Sequence, residues 1–271
     1  MPELPEVETI RIGIAPHILG ETVQSLIVRN RKLRWPVSRR LDRELPGQQI
    51  RKVERRAKYI LVHGETGCLI LHLGMSGSLR ILTEPVTPGK HDHIDIVFDS
   101  GQRLRFTDPR RFGSLHWTRK EPLQHPLLQH LGPEPLSDEL DGDYLFSLSR
   151  KRTQSVKSFI MDGRIVVGVG NIYANESLFA AGIHPGRRAG RISQARYEQL
   201  ADEIKSVLTL ALQKGGTTLR DFIDGEGRPG YFRHELKVYD RTDQPCPVCN
   251  NPIRQQRIGQ RSSFYCPHCQ H

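Results

Sequence analysis

The sequence predicts an α+β protein: an N-terminal antiparallel β-sandwich with flanking helices, followed by a helical region that carries a zinc-bound β-hairpin. Three observations support this fold class. Short β-rich runs fill the first half of the chain, an amphipathic helical pattern covers residues 193–214, and two Cys-x2-Cys pairs lie near the C-terminus. With 271 residues and 37% apolar content, the chain is long enough for about two domains.

The first element is a helix with Pro5 in its first turn, where proline is favoured. Acidic residues complement the positive end of the helix dipole, and apolar ones recur at helical spacing. These are Glu3, Glu6 and Glu8, and Val7, Ile10 and Ile14. The opening lacks the basic and apolar regions of a secretory signal, so we expect it in the mature protein.

Between Thr22 and about Thr118 the chain reads as short strands separated by Gly, Pro, Asp and Ser turns. The runs are TVQSLIV, KYILVH, CLILHL, HIDIVF, LRFT and SLHW. Six or more strands at this spacing predict an antiparallel sandwich or a barrel-like sheet. Cys68 lies inside one apolar run and is expected to be a buried core thiol.

The stretch LGPEPLSD, residues 131–138, marks a boundary, because the pattern beyond it becomes helical. In the segment Ser193 to Lys214 one face is apolar, with Leu200, Ile204, Val207, Leu208 and Ala211. Gly168 and Gly170 lead into another helix expected near Asn171. We place the domains at residues 1–131, 132–236 and 237–271, with the last appended to the helical one.

Four of the five cysteines are clustered as Cys246-x2-Cys249-x16-Cys266-x2-Cys269. Two such pairs bring four thiolates into a tetrahedron around zinc. Four thiolates leave no open coordination position, so the sequence predicts one structural zinc ion that folds a short segment.

Positive charge is concentrated early in the chain, which has 40 Lys and Arg against 30 Asp and Glu. Twelve basic residues lie between Arg29 and Lys58 against three acidic ones. Such a run is either a solvated face or a binding surface for a polyanion such as nucleic acid. No apolar run approaches the length of about 20 residues that a membrane span needs, so no membrane role is expected.

Three short segments suggest more specific chemistry. HLGMSGSLR (72–80) presents Met75 between glycines, and TDPRRFG (107–113) places two arginines beside Phe112. An apolar side chain with an adjacent arginine is typical of a wedge in a base stack, although each loop could be an ordinary hairpin. At the start, removal of Met1 would leave Pro2 as a secondary amine, which can form an iminium ion with an aldehyde carbon.

Together these segments resemble the bacterial formamidopyrimidine-DNA glycosylase family, also called 8-oxoguanine DNA glycosylase. The resemblance rests on MPELPEVET, RRAKYIL, HLGMSGSLR, KHDHID, TDPRRFG, HLGPEPL, VVGVGNIYANESLFAAGIHP, GGTTLRDF, GRPGYF and QRSSFYCPHCQ. It implies a β-sandwich domain, a helix-two-turn-helix domain and a zinc finger. It also implies an enzyme that flips an oxidised purine out of duplex DNA, removes it, and cleaves the strand by β,δ-elimination.

The resemblance also implies roles for individual residues. Pro2 would be the nucleophile, Glu3 the general acid/base at the sugar, and Glu6 a support for the amine. Lys58 would donate the proton in β-elimination, and Arg261 would act in δ-elimination and clamp a phosphate. The implied DNA-binding residues are His72, Met75, His91, Arg110, Phe112, Arg152, Lys157 and Asn171, of which Met75, Arg110 and Phe112 would fill the gap left by the flipped nucleotide.

Thr217 to Tyr239, with Gly225, Gly227 and Gly230, resembles the loop that closes over the extruded base. Asn250 stands where relatives often have glycine, so a positive φ is expected there, which Asn tolerates. We expect a cytoplasmic monomer that binds damaged double-stranded DNA and needs no small-molecule cofactor. Two alternatives stay open: an endonuclease VIII-like glycosylase for oxidised pyrimidines, and a non-catalytic zinc protein that binds DNA.

Overall fold

The computed structural model describes residues 2–216 and 232–271. These residues form two compact units. The first covers residues 2–129 with 215 and 216, and the second covers residues 130–214 and 232–271. None of the described helices combines the length and the apolar character that crossing a membrane requires.

The first unit begins with helix α1, Leu4–Ile18, as the sequence predicts. Pro5 lies in its first turn, and Glu3 is the residue that caps its N-terminus. The side chains of Val7, Ile10 and Ile14 are buried in the core of this unit, which confirms the helical spacing of the apolar residues.

Two antiparallel four-stranded sheets follow α1. One has the strand order β1 (Val23–Val28), β6 (Asp92–Phe98), β7 (Arg103–Thr107) and β5 (Ser78–Leu82). The other has the order β2 (Lys52–Arg56), β3 (Tyr59–His63), β4 (Cys68–His72) and β8 (Ser114–Thr118). A single helical turn, α2 (Leu41–Glu44), lies between β1 and β2.

Both sheets contribute alternate side chains to one core, which is the pattern of a sandwich. Ile60, Val62, Leu69 and Leu71 enter it from one sheet, and Ile94, Ile96, Leu104 and Phe106 enter it from the other. Cys68 is buried, as expected, and burial raises the pKa of its thiol to about 12. The α+β prediction is confirmed, and of the two arrangements considered for the strands, the sandwich is the one observed.

Two strands of these four-stranded sheets lie outside the six predicted runs. β2 reads KVERR and has too few apolar residues to stand out, although it pairs along its whole length with β3. β5 begins inside the segment HLGMSGSLR, whose Ser78 to Arg80 we expected to be loop. That expectation is wrong because Leu79 is buried in the core and Arg80 pairs with Arg105 of β7.

A buried ion cluster lies within the first sheet. Arg105 is 2% exposed and donates to both oxygens of Asp95, at 2.8 and 2.9 Å, and to Asp92 at 3.3 Å. Arg29 also donates to Asp95, and the Thr107 hydroxyl donates to Asp92. Burial alone would raise the pKa of both carboxyls, but these bonds outweigh it and the pKa of each is lowered.

The second unit contains helices and one hairpin in its described part. The helices are α3 (Gly142–Ser149), α4 (Val156–Ile160), α5 (Asn171–Ala180) and α6 (Gln194–Gln213). The hairpin pairs β9 (Arg254–Ile258) with β10 (Arg261–Tyr265). α6 confirms the helix predicted from Ser193 to Lys214, although Val207 on its apolar face is only half-buried.

Candidate active site and nucleic-acid interface

The three predicted site residues of the opening motif are buried at the N-terminus of α1. Pro2 is buried, and Glu3 and Glu6 are only 2% and 3% exposed. The Glu6 carboxylate accepts the backbone N–H of Glu3 at 2.8 Å, which is one half of a capping box. Gly216 lies against the same carboxylate: a Cβ at Gly216 would stand 2.9 Å from Glu6 Oε1. Glu6 therefore fixes the backbone that carries Pro2 and Glu3.

Lys58 lies in the tight turn between β2 and β3. Arg56 pairs with Tyr59, so the turn consists of Ala57 and Lys58 alone, and Ala57 adopts φ 55°. Alanine in this left-handed region costs roughly 1–2 kcal/mol. The Arg55 side chain holds the turn, because its Nη1 donates to the Ala57 carbonyl at 3.0 Å.

The same arginine connects the Lys58 turn to α1. Arg55 Nε donates to Glu8 Oε2 at 3.1 Å, and Glu8 also pairs with Arg11 at 2.7 Å. Since Glu8 belongs to α1, this pairing fixes the Lys58 turn relative to the helix that begins beside Pro2.

His72 ends β4 as a half-buried neutral imidazole. Burial, helped by the charges of Lys58 and Arg34, lowers the pKa of His72 to about 4. Its Nδ1 accepts the backbone N–H of Gly74 at 3.0 Å, so Nε2 carries the proton. The ring also packs on Tyr59, with 4.7 Å between centroids. His72 can therefore donate one hydrogen bond without being charged.

The two loops expected to form a wedge pack directly against each other. A Cβ at Gly74 would stand 2.4 Å from the carbonyl carbon of Phe112, so only glycine allows this approach. Met75 is 38% exposed and Phe112 is 41% exposed. The Arg110 guanidinium lies 4.9 Å from the centre of the Phe112 ring. The structure thus packs the loops that carry these three residues against each other and leaves Met75 and Phe112 accessible.

Asp108 joins the two loops and is a residue that the sequence reasoning missed. Its side chain is fully buried, and it accepts the Ser76 hydroxyl at 2.7 Å and the Gly113 N–H at 2.8 Å. The Arg110 N–H donates to it at 3.2 Å. Its own backbone N–H donates to the carbonyl of His91 at 3.0 Å. The Asp-Pro pair in TDPRRFG, a frequent turn former, is the only signal of this role.

In the second unit, the β9–β10 hairpin presents Arg261. The turn consists of Gly259 and Gln260, both with positive φ (54° and 61°), as a two-residue type I′ turn requires. Arg261 is exposed immediately after this turn. Arg152 is also exposed and lies between α3 and α4.

Buried polar side chains from α4 and α5 hold the hairpin. The Lys157 ammonium donates to the carbonyl of Ser262 at 2.8 Å and to the Ser263 hydroxyl at 2.7 Å, and the residue is 1% exposed. Asn171 donates to the same Ser262 carbonyl at 3.2 Å, and Asn175 accepts the N–H of Phe264 at 2.9 Å. A DNA contact by Lys157 stays a prediction; the contact observed is to the strand that begins with Arg261.

Glu176 holds the chain that enters the zinc segment. Its buried carboxylate accepts the N–H groups of Lys237, Val238 and Tyr239 at 2.8–3.0 Å. Burial nevertheless raises the pKa of Glu176. Nothing in the sequence distinguished Asn175 and Glu176 from ordinary polar residues of a helix.

The four clustered cysteines meet as the sequence predicts. Their sulfur atoms lie within 4.8 Å of one another, with Cys246 and Cys269 3.9 Å apart and Cys249 and Cys266 3.4 Å apart. A tetrahedron with Zn–S bonds of about 2.3 Å has edges of about 3.8 Å, so the donor set fits zinc. Asn250 has φ 60°, which confirms the expected positive φ after the first pair.

Three family models together match most of the chain. Family models match the formamidopyrimidine-DNA glycosylase N-terminal domain at residues 1–115, the H2TH domain of the same enzyme at 131–223, and the zinc finger found in FPG and IleRS at 243–271. The chain belongs to the formamidopyrimidine-DNA glycosylase family. Relatives of that name from Nitrosococcus oceani and Pseudomonas putida F1 are 58% and 60% identical, with 100% of both chains covered.

Solved structures of the family have the same fold. The MutM (FPG) protein of Thermus thermophilus is 36% identical, with a TM-score of 0.89, and the match covers 99% of this chain and 98% of that one. The Lactococcus lactis Fpg in complex with DNA containing N7-benzyl-Fapy-dG is 31% identical, with a TM-score of 0.92 and full coverage of both chains. The zinc-finger match and the sulfur geometry together give this family member one structural zinc ion.

The predicted site residues are thus distributed over both units. The first unit carries Pro2, Glu3, Glu6, Lys58, His72, Met75, His91, Arg110 and Phe112, and the second carries Arg152, Lys157, Asn171, Arg261 and the four cysteines. Of the segment predicted to close over the base, residues 217–231 lie outside the described part of the chain.

Proposed function

We propose that this chain is a bifunctional base-excision repair enzyme. It removes oxidised purines such as 8-oxoguanine and formamidopyrimidines from duplex DNA and then cleaves the strand by β,δ-elimination. The observation that carries the proposal is the buried N-terminal Pro–Glu pair, fixed by Glu6, in a chain that matches the family over its full length. The relatives' complexes with Fapy-dG DNA support the substrate class.

Pro2 supplies the nucleophile once Met1 is removed. Its secondary amine bonds to C1′ of the sugar as the N-glycosidic bond breaks and the bonding pair leaves with the base. The ammonium nitrogen so formed gives up its N–H proton, the departing base anion takes up a proton, and the nitrogen regains a lone pair. This lone pair forms an iminium ion with C1′ as the C1′–O4′ bond opens, and a proton reaches O4′. Glu3 is placed to transfer that proton, because it adjoins Pro2 and its backbone is held by Glu6.

The iminium ion makes the C2′ proton acidic, so two successive eliminations become possible. The first expels the 3′ phosphate and the second expels the 5′ phosphate. We assign Lys58 to the first elimination and Arg261 to the second, with Arg261 also binding phosphate. The rigid turns that carry both residues support this assignment, since a donor must be held within hydrogen-bond reach of the leaving oxygen.

The remaining roles concern DNA binding. His72, His91, Arg152, Lys157 and Asn171 bind the DNA backbone, and Met75, Arg110 and Phe112 fill the gap left by the flipped nucleotide. For His72 the protonated Nε2 supplies the donor. Zinc, when bound, cross-links the cysteine pairs, so that the segment carrying Arg261 folds without a large core of its own. The enzyme acts as a cytoplasmic monomer without a small-molecule cofactor, with domains at 1–131, 132–236 and 237–271.

Borohydride trapping on a duplex with one 8-oxoguanine tests this function. Borohydride reduces an iminium ion to a stable amine, so we expect a covalent protein–DNA complex whose adduct maps to Pro2. A matched duplex with guanine is the control for the substrate, and one with an oxidised pyrimidine tests the endonuclease VIII-like alternative. No trapped complex would support the non-catalytic DNA-binding alternative, and an adduct on Lys58 would overturn the assignment of the nucleophile.

A further inference from the structure

Positive side chains surround one cavity of the first unit. The cavity has a volume of about 670 Å³ and is lined by Lys32, Leu33, Arg34, Arg110, Arg111 and Phe112. The first three residues belong to the loop after β1, and the other three belong to the loop after β7. Leu33 is buried, so the cavity combines four cations with an apolar wall.

Ion pairs within the protein neutralise much of the basic run at residues 29–58. They do not neutralise the four cations that line the cavity. The paired residues are Arg29 with Asp95, Arg31 with Asp42, Arg40 with Glu44, Arg51 with Glu65, Lys52 with Glu54, and Arg55 with Glu8. Among residues 2–216 and 232–271, no carboxylate forms an ion pair with Lys32, Arg34, Arg110 or Arg111. Their positive charge is therefore not neutralised by the described residues and is available to an anion.

The cavity lies beside residues assigned to DNA binding. Arg110 and Phe112, two residues of the wedge, form part of its lining. The charge of Arg34 lies near His72 and, together with burial and Lys58, lowers the pKa of that imidazole. The same charge lies near Tyr59, where it partly offsets the rise in pKa that burial causes. An anion held at Arg34 would consequently lie close to both the wedge and His72.

We propose that this cavity binds a backbone phosphodiester of DNA, with Lys32 and Arg34 as additional DNA-binding residues. A guanidinium binds two phosphate oxygens through parallel N–H donors, while a lysine adds a point charge. The apolar Leu33 suits the adjoining deoxyribose. The proposal rests on the proposed function, because it names a further contact with the same substrate. The phosphodiester could belong to the lesion strand or to its complement, which have the same backbone chemistry.

The salt dependence of DNA binding tests the contact. The variant K32A/R34A removes two cations of the cavity, and R39A/R43A removes the same charge from positions of the same run that lie outside it. Each neutralised phosphate contributes roughly 0.9 to the slope of log affinity against log salt. We expect K32A/R34A to lower that slope by about 1 and the affinity at low salt about tenfold, whereas R39A/R43A keeps the wild-type slope.

Methylphosphonate substitution then identifies the phosphate and its strand. Each phosphate near the lesion is replaced singly, in one strand at a time, by an uncharged methylphosphonate. At one position the replacement should weaken binding by the wild-type protein and by R39A/R43A, but leave K32A/R34A unchanged, because that variant has already lost the contact. The strand that contains this position is the source of the phosphodiester.

Two results would overturn the proposal: equal slopes for the two double variants, or methylphosphonate effects that are the same in all proteins at every position. Thermal unfolding of each variant, followed by circular dichroism, shows whether the sheet core is intact. The proposed function fails separately, since it predicts that the wild-type protein is trapped by borohydride whatever the slopes of the variants. If the wild-type protein is trapped and the two double variants have equal slopes, only the proposal that the cavity binds a phosphodiester is refuted.

Discussion

Removing the Asp108 carboxylate should separate the two wedge loops without damaging the nucleophile. Asp108 is fully buried and accepts short bonds from the Ser76 hydroxyl and the Gly113 N–H. A hydrogen bond to a charged group contributes about 1.5–3 kcal/mol, so losing both should lower the free energy of unfolding by about 3–6 kcal/mol in D108A. In D108N the amide oxygen can keep the Gly113 bond and the amide nitrogen can donate to the Ser76 hydroxyl, but the Arg110 N–H loses its acceptor at position 108, so the loss should be about 1–2 kcal/mol.

Urea unfolding measures these losses, and the matched control is D99A. Asp99 is an exposed residue of the same unit, so its replacement should change the free energy of unfolding by no more than about 0.5 kcal/mol. Single-turnover excision of 8-oxoguanine supplies a second measurement, in which we expect D108N to be slower than D99A by about tenfold, or about 1.4 kcal/mol of barrier. If D108A were as stable as D99A, the joining role of Asp108 would be refuted.

Three further predictions follow from the zinc site, the ion cluster and the N-terminus. C249S should lose zinc by metal analysis and weaken DNA binding, with the first unit still folded by circular dichroism; full affinity without metal would contradict this. Because the pKa values of Asp92 and Asp95 are lowered, their contribution to stability is complete above the unfolded value of about 3.9 and is lost as pH falls through the folded values. Urea midpoints that stay constant from pH 5 to pH 3 would disprove this stabilising role of Asp92 and Asp95. A protein that retains Met1, verified by mass spectrometry, should bind damaged DNA but not be trapped, because an amide nitrogen at Pro2 is not nucleophilic.

The sequence predicted the elements whose side chains alternate or recur regularly. β3, β4 and α6 were found because their apolar residues follow the period of a strand or a helix. β2 was missed because its partners, and not its own composition, place it in the sheet: every residue from Lys52 to Arg56 pairs with β3. β5 was missed in part because the glycines before it suggested a loop.

The candidate site was predictable where a residue type alone sets the chemistry. The cysteine spacing led to the zinc site, and the N-terminal proline led to a secondary amine. Asp108 and Asn175 could not be found in this way, because their partners are set by the tertiary fold, 32 residues away for Ser76 and 89 for Phe264. The burial of Lys157 was equally hidden, since lysine is rarely buried and nothing local indicates its partners.

The bonds by which α4 and α5 hold the hairpin go mostly to its main chain, so they depend little on the hairpin's side chains. Asn171 and Asn175 bond to main-chain atoms of β10, and Glu176 bonds to main-chain N–H groups of residues 237–239. Lys157 donates one bond to the Ser262 carbonyl and one to the Ser263 hydroxyl. Outward-facing hairpin positions other than Arg261 can therefore be substituted while these docking bonds stay intact. A chimera that exchanges residues 243–271 with those of a relative should keep its attachment to the helices as long as Ser263, the cysteines and the strand register are retained, together with Phe264, which packs with Phe179 of α5, and Gln270, which donates to the Ile183 carbonyl.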